Sequence, residues 1–330
     1  MTRMSLLSFG NLEMLHGWLS DMNNINKRIA VFGGAGFIGT PIVKNLIKNG
    51  WYVYVVTRHM PADNWELRYE SNVEVHIVDV FDANEVETFF KTYHVENLIN
   101  LAWYCGAKLH ASLGNLDWVI ATLNIAKLFA ENGGKTFLGA GSVSEYDFSK
   151  GYLKEFETPL TNQSMYGRAK SSAYNMLAGY LPQMGVNFKW ARIFNLFGRN
   201  ERPVRLVPAV IRAILENRPV DVSSCTKIQD YSYVEDTAAA IVKFFESDVT
   251  GPVNICSGKP IQLKDIVQEI CDMLKYPIEK VNFGAIPENF SDRFVVGDNS
   301  RLTNEVKYEY EYSIHDGLIE VIDDIKRKIR

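Results

Sequence analysis

The chain is poor in the residues that announce a metal site or a disulfide scaffold. Of 330 residues, four are cysteine and six are histidine. Cys105, Cys225, Cys256 and Cys271 stand far apart with no CxxC pair, and the histidines form no HExxH or similar ligand spacing. That scatter excludes a zinc knuckle, a paired-thiol redox motif and a stapled secreted fold, and leaves reduced thiols with no metal as the expectation. A surplus of basic charge is missing too. Lys and Arg number 35 against 39 Asp and Glu, a net charge of -4, so there is no field to hold nucleic acid or an anionic membrane. No apolar run reaches the length of about 18 residues that a membrane-crossing helix needs. The early patch MSLLSFG is interrupted by Glu13 and His16 before a signal-type core develops. Internal repeats and low-complexity linkers are also absent. A cytoplasmic protein with a small-molecule partner is expected. Residues 1–26, which include a second plausible start at Met22, are expected to form a poorly ordered extension.

What is present is the material of a large folded core: 47% hydrophobic and 22% charged residues. From Lys27 onward, the runs KRIAVF, WYVYVVT, VEVHIVDV, ENLINLAW and KTFLGAGS alternate with helical stretches such as TPIVKNLIKNG and 114–132. Runs that are apolar almost throughout suit strands buried on both faces, and the intervening helices suit crossovers between parallel neighbours. The expected fold class is α/β, a doubly wound parallel sheet, with a smaller interleaved α/β lobe at the C-terminal side. The expected division puts 27–195 and about 231–256 in the first unit and 196–230 and 257–330 in the second.

VFGGAGFIGT follows the first strand and opens a helix. It satisfies GxGxxG through Gly34, Gly36 and Gly39, and GxxGxxG through Gly33, Gly36 and Gly39. Glycines there permit a tight turn and let backbone amides approach a pyrophosphate at the helix N-terminus, where the dipole suits negative charge. The second strand ends in VVTRH, without the acidic residue that would bond a ribose 2′-hydroxyl. Arg58 offers a planar fork for a 2′-phosphate instead, so NADP(H) is expected over NAD(H). Asp79, ending VEVHIVD, could accept from an adenine amino group or simply serve a turn.

SMYGRAK sets Tyr166 and Lys170 four residues apart in a helical stretch, on one face. A free phenol has a pKa of about 10, and a neighbouring ammonium is expected to pull it down, giving a proton donor or acceptor worth roughly 10²- to 10⁴-fold in rate. Ser142, ending GAGS, stands at a strand end where ligands of open sheets bind, and its hydroxyl could bond the oxygen that the tyrosine serves.

With the glycine loop, the strand-end serine and YxxxK in that order, the sequence resembles the extended short-chain dehydrogenase/reductase family, specifically its nucleotide-sugar members, over about 27–325. The resemblance implies a Rossmann-type dinucleotide domain and a catalytic trio of Ser142, Tyr166 and Lys170, with Lys170 also on the nicotinamide ribose. It implies that Gly33, Gly36, Phe37 and Ile38 surround the pyrophosphate, that Asp79 and Val80 flank the adenine, and that Leu101 and Ala102 of INLAW line the cofactor. RIFNLFG matches the family's R-x-F-N-x-x-G, which implies Phe194 beside the nicotinamide and Asn195 on the substrate side. A homodimer through the helices near 114–132 and 164–182 is implied as well.

Departures from the family narrow the chemistry. Sugar-nucleotide 4,6-dehydratases carry an Asp-Glu pair after the strand-end hydroxyl residue, whereas Val143 and Ser144 stand here, so the elimination lacks its acid and base. Arginines expected on a substrate diphosphate are replaced by Gln229 and Asn289, leaving Arg205, Lys227 and Arg293 as candidate donors. Glu145 could contact sugar hydroxyls, and Cys105 could donate a proton in an epimerisation, beside plainer readings as a strand-end carboxylate and a small buried thiol. The leading expectation is an NADPH-dependent 4-ketoreductase acting on a nucleotide-linked 4-keto-6-deoxyhexose, in deoxysugar supply for surface polysaccharide. An NAD-dependent nucleotide-sugar 4-epimerase is the alternative, and a non-catalytic NADP-binding regulatory protein a third reading.

Overall fold

The computed structural model describes residues 27–106, 108–161, 163–288 and 293–329. The expected N-terminal extension and Asn289 lie outside the described residues. Seven parallel strands make the central sheet: β1 Arg28–Phe32, β2 Tyr52–Thr57, β3 Val73–Ile77, β4 Asn97–Asn100, β5 Thr136–Ser142, β7 Asn187–Ile193 and β11 Gly251–Ile255. They lie in the order β3-β2-β1-β4-β5-β7-β11. Strand β6, Tyr152–Leu153, belongs to a second sheet described below. β1 pairs with β2 on one side and β4 on the other, so strand order reverses at β1 and a crevice opens beyond its C-terminal end.

Period-two alternation explains why these strands read as unbroken apolar runs. Ile29 and Val31 face one core with Ile42, Val43 and Leu46 of helix α1 (Gly39–Lys48). Ala30 and Phe32 face the other, with Phe89 and Phe90 of α2 (Ala83–Tyr93), Ile125 and Phe129 of α3 (Asn115–Glu131), and Leu177 and Leu181 of α4 (Met165–Gln183). Helices therefore cover both faces, as successive side chains pointing to opposite sides require. Local signals fix the helix starts. The Asp82 carboxylate accepts from the Asn84 and Glu85 amides to open α2, and the Ser164 hydroxyl accepts from the Gly167 amide to open α4.

The chain leaves the large sheet at Phe194 and enters the small one at Asn195. Strand β8 (Asn195–Phe197) pairs in parallel with the second half of β10 (Ile228–Tyr233), whose first half pairs with β12 (Pro260–Gln262) and β14 (Phe294–Gly297). β14 in turn pairs with β6. A separate parallel pair joins β9 (Val220–Val222) to β13 (Val281–Phe283). The remaining helices are α5 Leu206–Leu215, α6 Val234–Glu246, α7 Leu263–Leu274, α8 Ser300–Asn304 and α9 Ile314–Ile329. α9 is opened by the reciprocal Ser313–Asp316 bonds that its sequence announces. No described helix is long and apolar enough to cross a membrane. Because β8 continues from β7 beside β5, the small sheet is anchored next to the C-terminal ends of the large one. That is where the candidate site lies.

Candidate active site

The glycine loop is built by close approach. Gly33 has φ +79, and a Cβ there would stand 3.2 Å from the Ala102 amide nitrogen. A Cβ at Gly39 would stand 2.7 Å from the Gly34 backbone, so only hydrogen lets α1 begin this near the turn. The Gly33 amide donates to the Val56 carbonyl at 2.8 Å, which pins the loop to the end of β2. Gly36 is exposed and Phe37 and Ile38 are half-buried. A glycine turn at the N-terminus of a ten-residue helix, at the switch point of the sheet, suits a pyrophosphate. The strand ends around it carry the other expected residues. Arg58 is exposed just after β2. Past β3, the Asp79 carboxylate accepts from the Phe81 amide at 3.1 Å while its own amide donates to Glu85, and Val80 is buried. Past β4, the Leu101 amide donates to the Phe32 carbonyl and the Ala102 amide to the Asn100 side chain, which holds both against the glycine loop.

Ser142, Tyr166 and Lys170 come together at the end of β5. The Ser142 hydroxyl accepts from the Ser144 amide at 3.1 Å and stands close enough to the Tyr166 hydroxyl to favour its ionised form. The Lys170 ammonium donates to the Ala140 carbonyl at 2.7 Å and lies over the Trp103 ring, 3.7 Å from its centroid. It is 5.9 Å from the centroid of the Tyr166 ring. Trp103 and His110 meet Tyr166 edge to face, at 6.2 and 5.6 Å between centroids.

These surroundings correct one expectation. Lys170 does not loosen the phenol proton here: burial holds the Tyr166 hydroxyl above its ordinary range, the Cys105 and Glu145 charges push the same way, and Ser142 offsets only part. The ammonium is engaged by an indole face and a carbonyl rather than by the phenol. Burial also pushes Lys170 down to about 8, against opposing pulls from Cys105 and Glu145.

On the small-sheet side the expected substrate residues are largely occupied. The Asn195 amide donates to Gln229 at 3.2 Å, and Gln229 is buried. Arg205, directly before α5, pairs with Glu201 at 3.4 Å, and Lys227 pairs with Glu288 at 4.0 Å. Arg293 is exposed, and its carbonyl accepts from the Ile228 amide. Phe194 is buried with Val143, Tyr146 and Cys256 in a small core of its own. Two further readings change. Cys105 is exposed rather than a buried thiol, and Glu145 does not reach a sugar hydroxyl: it keeps its plainer place as a strand-end carboxylate, wholly buried and paired with Arg192. Sequence reasoning missed Trp103 and His110. Trp103 follows Leu101 and Ala102 directly, but nothing in its neighbourhood signals that it will cover a lysine from α4. Among the described residues, no cluster of His, Cys, Asp and Glu suits a metal ion.

Residues 29–256 match the sequence profile described as the NAD dependent epimerase/dehydratase family. UDP-glucuronate 4-epimerase of Thermodesulfobacterium geofontis is 27% identical over 321 residues, covering 91% of this chain and 96% of that protein. Among solved structures, UDP-glucose 4-epimerase of Thermotoga maritima with UDP-glucose superposes with a TM-score of 0.82 at 21% identity, covering 92% of this chain and 100% of the other. UDP-glucose 4-epimerase of Thermus thermophilus, in complex with NAD, does so with a TM-score of 0.78 at 21% identity, covering 91% and 99%.

Proposed function

The chain belongs to the NAD dependent epimerase/dehydratase family, and from that premise we propose that it is a nucleotide-sugar 4-epimerase working with NAD. The observation that carries this reading is Tyr166 and Ser142 set side by side at the sheet's C-terminal end, with the Lys170 ammonium held beside them by the Ala140 carbonyl. Full-length likeness to a UDP-glucuronate 4-epimerase supports it over simple ketone reduction. As it stands the phenol is held protonated by burial; with the positive charge of a bound nicotinamide offsetting that burial, the Tyr166 phenolate would accept the proton of the C4 hydroxyl and return it to the same oxygen when the centre is restored. Ser142 donates a hydrogen bond to that oxygen through both halves, and Lys170 offers its remaining N–H groups to ribose hydroxyls. When bound, NAD supplies hydride acceptance and return at C4. Gly33, Gly36, Phe37, Ile38, Asp79, Val80, Leu101 and Ala102 would hold it. Phe194, from the buried core behind the site, would back the nicotinamide. Arg293, exposed, would meet the substrate, and Asn195, Arg205 and Lys227 would do so by sharing or leaving Gln229, Glu201 and Glu288.

The purified protein, dialysed and then given UDP-glucuronate, UDP-glucose and related nucleotide sugars without added reductant, is expected to keep NAD and to invert C4, read by proton NMR. Freely exchanging NADPH consumed by net reduction of a nucleotide-linked 4-keto-6-deoxyhexose would replace this reading by the reductase. Arg58 is the specific observation behind that second reading, since its exposed guanidinium at the end of β2 suits a 2′-phosphate. A panel with no turnover at all would point to a regulatory role. The exposed Leu116 and Ile120 of α3 and Met176 of α4 support a homodimer through those helices. The four free cysteines suit the reducing cytoplasm as its place of work.

A further inference from the structure

Behind the catalytic serine lies a buried charge pair. Glu145 and Arg192 are both fully enclosed, with the Arg192 Nε donating to Glu145 Oε2 at 2.8 Å. The other carboxylate oxygen accepts from the Ser142 amide at 2.8 Å and from the Trp190 indole at 2.9 Å. The strand makes room for this. A Cβ at Gly141 would stand 2.6 Å from Glu145 Oε1, and one at Gly139 would press into the Trp190 ring. The second glycine of GAGS thus lets a carboxylate reach the backbone of the residue after it. Arg192 is itself locked by the Tyr146 hydroxyl at 3.0 Å and the Glu155 carbonyl at 2.9 Å. The bonds on either side of Ser142 complement one another: Glu145 takes its amide, while its hydroxyl accepts from Ser144 and is left to donate forward. An accepted hydrogen bond strengthens the one that the same hydroxyl donates.

We propose that Glu145 is a positioning residue: locked by Arg192 and Trp190, it fixes Ser142 by the backbone and sets the electrostatic field around Tyr166 and Lys170. This rests on the acid–base reading of those residues above. The groups facing Tyr166 and Lys170 are Ser142 and Glu145 from the end of β5, Cys105 and Trp103 from the segment after β4, and His110 beyond it. Those facing Glu145 are Arg192 and Trp190 from β7, with Tyr146 and Glu155 flanking Arg192. The Glu145 charge favours the protonated forms of both Tyr166 and Lys170. Glu145→Gln keeps an acceptor for the Ser142 amide and removes that charge, so both groups should lose protons at lower pH.

The test is an NMR titration of the lysine ε-carbons, with Lys170 assigned by its loss in Lys170→Met, together with the pH–rate profile on the panel member that turns over fastest. In Glu145→Gln, the Lys170 titration and the rate limb set by Tyr166 should both move to lower pH. The expected fall in kcat is about 10- to 100-fold, with KM and retained NAD unchanged. Glu145→Gln/Arg192→Gln, which leaves no lone buried charge, should show the same direction of movement. A purely structural pair would change stability and leave both titrations where they were, and that result overturns the proposal. So does failure of the double variant to fold. Loss of turnover in Tyr166→Phe beside an unmoved titration in Glu145→Gln would sink this inference alone, whereas full turnover in Tyr166→Phe would remove the reading beneath it.

Discussion

Two buried lysines stand at opposite ends of the same sheet, and burial pushes each down to about 8. They differ in what their three N–H groups meet. Lys189, in β7, donates to the carbonyls of Phe244, Ser247 and Val249 where α6 ends, so every donor is used and its charge faces the negative end of a helix. Its surroundings form an open depression of about 690 Å³ lined by Lys27, Trp51, Glu246 and Asp248 at the N-terminal ends of the strands. Lys170, in α4, gives one bond to Ala140 and rests on the face of Trp103. Burial and pKa are alike at the two sites. What sets Lys170 apart is the incomplete use of its donors beside Tyr166 and Ser142.

Replacing each lysine by methionine should separate the roles. Lys170→Met is expected to cost about 10²- to 10⁴-fold in kcat with little change in thermal stability. Lys189→Met should keep its kcat while losing about 1–3 kcal/mol of stability, because it takes the donor from three carbonyls at the end of α6. Denaturant titration and turnover on the same samples check both, and equal effects at the two sites would erase the contrast.

A smaller effect is expected at the glycine loop. Gly39→Ala should weaken NAD binding measured by calorimetry and lower stability by about 1–3 kcal/mol, since the added methyl meets backbone that has no room to yield.

The smallest effect concerns pH. A lysine whose folded pKa lies below its unfolded value is penalised while charged, so its contribution to stability rises as pH climbs from about 8 towards 10. Lys189→Met should flatten that rise in a pH series of denaturant midpoints, and Lys170→Met should flatten it by a similar amount.

The large sheet was legible because strands buried on both faces cannot alternate with polar residues. Ile29, Ala30, Val31 and Phe32 feed two cores in turn and leave an unbroken apolar run. The glycine loop was legible because its spacing is local, Gly36 closing on the backbone of Gly33 and Gly39 on that of Gly33 and Gly34, although the contact of Gly33 itself is with distant Ala102. Ser142, Tyr166 and Lys170 could be named because their order and helical spacing carry the signal. What spacing could not carry is partnership at long range. Glu145 meets Arg192, Lys227 meets Glu288, and Trp103 covers Lys170, each joining separate elements that only the folded sheet brings together. The same gap misled the reading of Tyr166. Four residues along a helix put the ammonium on the right face, but Trp103 and the Ala140 carbonyl claim it, and burial then dominates the phenol.

The most direct measurement is turnover of Tyr166→Phe with its retained cofactor determined on the same preparation. C4 inversion should vanish into the background while NAD remains bound in the parent amount, because only a hydroxyl at the mouth of the sheet has been removed. Inversion at the parent rate in that variant would contradict the account.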